Sequence, residues 1–225
     1  MKKRAQQSIF SFLKRSKIDK PFFLGIIAIT LLGFLVFLSA GLGLQARESG
    51  SLIRIIINQT VFGLLGGSVA FLIALQIPLE KLNKHAVAVF GLTVLLTLAV
   101  FIPGLGFSYG GATRWLDLGV FTLQPAELLK IGSVVLAASW FSFLKQRTED
   151  LKFGLGGLLG IIVVCAGILL LQPDTGTVVV IVASVGSVYL VAGGKWRHIG
   201  LLLILGITAL ALLISVRPYV KDRLL

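Results

Sequence analysis

Seven runs of apolar residues, separated by short polar loops, fill the 225 residues of this chain. The first is the clearest: Pro21 to Ala46 carries no Asp, Glu, Lys or Arg over 26 positions. About 20 apolar residues in a helix cross a hydrocarbon core of roughly 30 Å. In lipid a helix satisfies its own backbone hydrogen bonds. The pattern therefore predicts an all-α, polytopic membrane bundle of about seven helices. The expected spans are Phe22–Leu44, Ile53–Gln76, Ala86–Ile102, Pro125–Leu144, Phe153–Leu171, Thr177–Ala192 and Ile199–Val216.

Composition agrees, with 56% hydrophobic residues and a mean hydropathy of +0.99. Residues 1–20 form a basic tail, 21–216 the bundle, and 217–225 the opening of an outer loop. The first run is far longer than the 7–15 residues of a signal-peptide core and reads as an uncleaved span. In the tail, Ile9, Phe12 and Leu13 share a helical face beside Lys14, Arg15 and Lys17. That segment reads either as a surface helix or as a disordered basic tail.

The net charge of +12 would suggest nucleic acid in a soluble chain, but here it lies at membrane edges. One side collects 14 Lys and Arg: the tail, Pro78–His85, Lys145–Lys152 and Gly193–His198. The other side collects six, in Ala46–Arg54, Gly104–Gln124 and the segment from Arg217. The positive-inside rule places the tail in the cytoplasm. Gly104–Gln124 and Gln172–Gly176 are then outside.

An ionisable group inside a span is costly, and so it is informative. Lys130 stands about 9 Å into the fourth span at 1.5 Å per residue, and Glu127 precedes it by three positions on one helix face. Lys130 reads as a snorkelling side chain, as the partner of Glu127, or as a cation facing a polar cavity. Arg114 and Trp115 put a cation beside an amphipathic ring at the outer interface. Arg114 is the only cation of its loop, which suits ordinary anchoring or an anionic phosphate ligand. Asp174 opens the outer turn Gln172-Pro-Asp-Thr-Gly-Thr177, as a helix cap or as a member of the same site, within reach of Lys130. Gln124 and Gln172 flank these residues. His85 and His198 lie apart, with no metal-ligand spacing. Cys165 sits inside an apolar run as a small core hydrophobe. Gly66-Gly67 and Gly154–Gly160 suit close helix packing.

Gly111-Ala-Thr-Arg-Trp-Leu-Asp-Leu-Gly119, followed by Gln124-Pro-Ala-Glu-Leu-Leu-Lys130, resembles the signature of the SEDS family, which comprises FtsW, RodA and SpoVE. Gln172-Pro-Asp-Thr-Gly-Thr177 resembles that family's Gln-Pro-Asp-Leu-Gly-Thr element, and Arg217-Pro-Tyr fits its place near the end. The likeness runs from Asp19 to Leu225. It departs at Thr113, where a basic residue or Gln is usual, at Ala126 for Ser, and at Thr175 for Leu. The tail and the Asp19-Lys-Pro opening lean toward the FtsW branch.

The resemblance implies a peptidoglycan glycosyltransferase that polymerises lipid II at the outer face of the bacterial cytoplasmic membrane. It implies a class B penicillin-binding protein and other divisome proteins as partners. It also implies ten spans, with the catalytic Asp in an outer loop past Leu225. The chain then reads as the N-terminal part of that fold, inactive by itself, with Asp222 too early in the loop to be that residue. On this reading Arg114, Trp115, Gln124, Glu127, Lys130, Gln172 and Asp174 are substrate-binding candidates. No cofactor is evident, although a divalent metal could accompany the lipid diphosphate. A flippase for the same lipid and a non-catalytic division scaffold are the alternatives. The charged residues of the spans gather at their outer ends, which favours the polymerase.

Overall fold

The computed structural model describes residues 20–45, 59–109, 112–119 and 122–216. The tail with Ile9, Phe12 and Leu13, the loop 46–54 with the start of the second run, Gly110, Gly111, and the segment from Arg217 including Asp222 lie outside them. Two compact units divide the chain, residues 1–72 and 73–225.

In the first unit, helix α1 (Lys20–Gln45) takes up the first apolar run. Its 26 residues reach about 39 Å at 1.5 Å per residue, more than the hydrocarbon core needs. Thr30 Oγ1 returns its hydrogen bond to Ile26 O at 2.8 Å, so even this hydroxyl is satisfied within the helix. A π-helical turn, Gln59–Leu65, leads into α2 (Gly66–Ala74). Among the described residues the Gly66-Gly67 patch makes no close approach: a side chain at Gly67 would meet none of them within 4 Å.

The second unit holds the packed helices. Pro78, extended at φ −65°, opens the short helix α3 (Leu79–Lys84). His85 Nδ1 lies 2.9 Å from Lys81 O. Helix α4 (Ala86–Leu98) ends in a 3-10 turn, Ala99–Phe101. A small antiparallel sheet follows, β1 (Gly106–Tyr109), β2 (Ala112–Asp117) and β3 (Thr122–Leu123). Then come α5 (Pro125–Leu144), a 3-10 turn (Lys145–Glu149), a π turn (Leu151–Leu155), α6 (Gly156–Leu171), α7 (Thr175–Val191) and α8 (Trp196–Val216).

Helix α5 packs against α4, α6 and α7. Leu129, Phe141, Leu158, Cys165, Leu169, Ile181, Val185 and Tyr189 form the core between them. Phe141 and Tyr189 meet edge to face at 5.2 Å. Tyr189 Oη shares a 2.5 Å hydrogen bond with His198 Nδ1, so this buried histidine is held by the core. The opposite faces are apolar and bare: Val191 is 91% exposed and Phe143 81%. In water such faces mark association or aggregation. In lipid they are the ordinary outer surface of a bundle.

Among the described residues three stretches, Lys20–Ser39, Pro125–Leu144 and Leu151–Leu171, are long and apolar enough to cross a bilayer. Four shorter apolar helical stretches, Gly63–Ala74, Ala86–Phe101, Thr175–Val191 and Trp196–Gly206, stand where the other runs were expected. The expected sidedness rests on the 14-to-six charge split. A reporter fused after Lys152 is expected to read cytoplasm and one after Tyr109 the outside. The reverse pattern in a two-reporter assay would invert every placement made from that rule.

Candidate functional site

The start of α5 is built as a helix start should be. Gln124 is the extended N-cap residue (φ −94°, ψ 105°) and Pro125 takes the first helical position. Glu127 stands in the first turn, where a carboxylate suits the helix dipole. One turn on, Lys130 Nζ lies 2.8 Å from Glu127 Oε2. The side chains are 28% and 57% exposed, so the lysine is the more sheltered partner. Ser133, fully buried below, donates to Lys130 O at 2.8 Å and leaves no free hydroxyl there.

The segment before α5 carries the small sheet. In β2 Ala112 and Leu116 are buried and Thr113, Arg114 and Trp115 between them are half-buried. Phe107 pairs with Trp115 and Ser108 with Thr113, so Arg114 is the extra residue of a β-bulge, which re-aims its side chain out of the regular alternation. Its Nε donates to Gln172 O at 3.1 Å and its Nη2 to Pro173 O. The guanidinium is thus fastened to backbone carbonyls at the end of α6. Trp115 is half-buried and pairs with Phe107 of β1. Asp117 Oδ1 accepts from Gly119 N–H at 2.8 Å, and Gly119, at φ +78°, closes that turn.

The turn between α6 and α7 supplies the remaining candidates. Gln172 caps α6, and its buried side chain donates from Nε2 to Thr97 O of α4 at 2.8 Å. Among the described residues its buried Oε1 has no hydrogen-bond partner. Asp174 caps α7: Oδ1 accepts from Thr177 N–H at 3.3 Å and Oδ2 from Thr177 Oγ1 at 2.8 Å. Gln124 Nε2 lies 3.4 Å from the same Oδ2, linking the N-terminal ends of α5 and α7.

Six of the seven candidates therefore resolve into two groups, and Trp115 stands apart against Phe107. Arg114, Gln124, Gln172 and Asp174 meet around the 172–174 turn. Glu127 and Lys130 form their own ion pair within the first two turns of α5. The carboxylate that Lys130 meets is that of Glu127, while Asp174 is engaged by Thr177 and Gln124. Thr97 and Thr177 complete the cluster. Thr177 was readable as the third residue after a capping Asp. Thr97 contributes only a backbone oxygen, which leaves no sequence signal. Among the described residues no three of His, Cys, Asp and Glu gather as a metal site. A groove of about 540 Å³ opens elsewhere, toward the C-terminal half of α5, lined by Glu80, Asn83, Lys84, Ser139, Trp140 and Phe143.

Known proteins place this arrangement in a family. The family model described as "Cell cycle protein", FTSW_RODA_SPOVE, matches residues 20–225. A protein of Halorhodospira halophila named probable peptidoglycan glycosyltransferase FtsW is 35% identical over 208 residues, 91% of this chain and 51% of its own. The protein of the same name from Saccharophagus degradans is 31% identical over 214 residues, 92% of this chain and 54% of its own. The chain thus spans about half the length of the curated relatives it matches.

Among solved structures, the rod shape determining protein RodA of Thermus thermophilus superposes with a TM-score of 0.67 at 31% identity, over 89% of this chain and 60% of that one. A chain from a structure described as structural coordination of polymerization and crosslinking by a peptidoglycan synthase complex superposes at 0.60 and 29% identity, over 86% of this chain and 57% of that one. Apolar helices and family together make this an integral membrane protein of a bacterium. With a family model matched from Lys20 to Leu225 and the RodA-like helical fold beneath it, the chain belongs to the FtsW/RodA/SpoVE family.

Proposed function

We propose that this chain forms the lipid II-holding part of a peptidoglycan glycosyltransferase, a multi-pass protein of the cytoplasmic membrane working at its outer face. The observation that carries the reading is the Glu127–Lys130 pair, set at the end of a membrane helix beside the Gln124–Asp174 contact. A lipid-linked diphosphate needs a cation at the membrane edge, and Lys130 is sheltered enough to matter and exposed enough to be reached. The names of the relatives supply the reaction class.

In that reaction a sugar hydroxyl attacks an anomeric carbon, a glycosidic C–O bond forms, and the carbon's bond to the lipid diphosphate breaks. A carboxylate base takes the hydroxyl proton. Lys130 would neutralise charge on the diphosphate, with Glu127 orienting the ammonium. A divalent cation accompanying the diphosphate belongs to the substrate side of this proposal. The partner in this reading is a class B penicillin-binding protein, supported by the similar chain from the synthase complex.

A flippase reading needs polar side chains leading on through the bundle. The buried hydroxyls of α4 and α5 do not offer them: Thr93, Thr97 and Ser133 each bond a carbonyl of their own helix. The test is titration of the purified chain in nanodiscs with lipid II and, separately, with undecaprenyl phosphate. Saturable binding of lipid II, at least tenfold tighter than of the monophosphate, is expected. Equal affinities would remove the glycolipid from the proposal.

A further inference from the structure

We infer that Arg114 is a positioning residue that holds the 172–174 turn, and through it the Gln124–Asp174 contact, rather than a ligand to the lipid diphosphate. The inference rests on the lipid II reading above, in which Lys130 is the cation, and assigns a different job to Arg114.

The sequence offers Arg114 as a phosphate hook because a guanidinium fits phosphate with two parallel hydrogen bonds. The structure uses that fork otherwise. Nε and Nη2, the pair that makes a side-on bidentate contact, point to the carbonyls of Gln172 and Pro173. Those oxygens end helix α6 (Gly156–Leu171), where carbonyls lack intrahelical partners and the dipole is negative. A cation suits that place on both counts.

The strand explains why the side chain points there. Arg114 is the extra residue of a β-bulge between the Phe107–Trp115 and Ser108–Thr113 pairs, a place where a strand re-aims a side chain. The turn it grips is then tied on three sides: to β2 by Arg114, to α4 by Gln172 Nε2 on Thr97 O, and to the start of α5 by Gln124 on Asp174. Of the three ties only the first is charge-assisted on the donor side. Losing it leaves the turn on two neutral amides.

Lysine keeps the charge and loses the fork, so Arg114→Lys is the informative variant. The purified chain in nanodiscs is compared with Arg114→Lys and Lys130→Met by hydrogen exchange and by lipid II titration. Amides of 172–178 are expected to exchange about tenfold faster in Arg114→Lys without ligand, and at the unchanged rate in Lys130→Met. Lipid II affinity is expected to fall in both, in Arg114→Lys with no change in apparent melting temperature.

An unchanged exchange rate in Arg114→Lys overturns the inference. In the unsubstituted chain, phenylglyoxal is expected to modify Arg114 slowly with or without lipid II. Rapid modification that lipid II suppresses overturns the inference too, and this measurement stands even where Arg114→Lys fails to fold. Faster exchange at 172–178 with lipid II affinity unaltered in both variants upholds Arg114 as the holder of the turn, and the lipid II reading is then the part that fails.

Discussion

Lys130→Met is expected to weaken lipid II binding about ten- to a hundredfold while leaving membrane insertion and thermal stability near the parent's. A hydrogen bond to a charged group contributes about 1.5–3 kcal/mol, and each 1.4 kcal/mol is tenfold in affinity. Methionine keeps the length and the apolar stem of lysine and removes the ammonium. Stability should hold because the Glu127 carboxylate left behind is 57% exposed and remains hydrated. An ion pair open to this degree contributes under about 1 kcal/mol. The two readouts therefore separate cleanly. Unchanged affinity for lipid II in nanodiscs would reduce Lys130 to a snorkelling side chain neutralised by its neighbour.

The helices were legible because lipid simplifies the code. Pro125 marks the start of α5, and the charged run from Lys145 follows its end at Leu144, so its bounds agree with the expected span residue for residue. The start of α7 fell two residues early, at Thr175 rather than Thr177, because Asp174 caps the helix and Thr177 already belongs to its first turn. The small sheet was not legible. Its strands span two to six residues, and the register shifts between Phe107 and Ser108, so no alternation long enough to recognise survives.

The site divides in the same way. Glu127 and Lys130 are three apart on a helix, and their pairing follows from helical geometry alone. Arg114 reaches Gln172 and Pro173 across almost sixty residues and takes only their carbonyls. Every residue type offers a carbonyl, so no sequence pattern marks that partner. The side chain was visible, and its acceptors were not. The π turn at Leu151–Leu155 was hidden for a related reason, since the expected helix simply began at Phe153.

That turn carries the other large effect. Gly154→Ala is expected to destabilise the chain by about 3 kcal/mol or more, and Gly160→Ala to be neutral or mildly stabilising. Both glycines lie in the patch that reads as one packing surface, but the structure separates them. A Cβ at Gly154 would stand 1.8 Å from Thr148 O, a backbone atom of a buried residue that cannot swing aside. Gly154 N–H and Leu155 N–H both bond Asp150 O, at 2.9 and 3.1 Å, so the backbone that would have to move is itself fixed. Overpacking a tight site costs about 1–3 kcal/mol and more where no side chain can yield. At Gly160 nothing lies within 4 Å, and the residue is exposed in the middle of α6. Alanine there recovers up to about 1 kcal/mol of helix propensity. Apparent melting temperatures and monodisperse yields of the two variants in one detergent provide the check. A Gly154→Ala chain as stable as its Gly160→Ala counterpart would mean that the 145–155 segment does not close against Thr148 in this way.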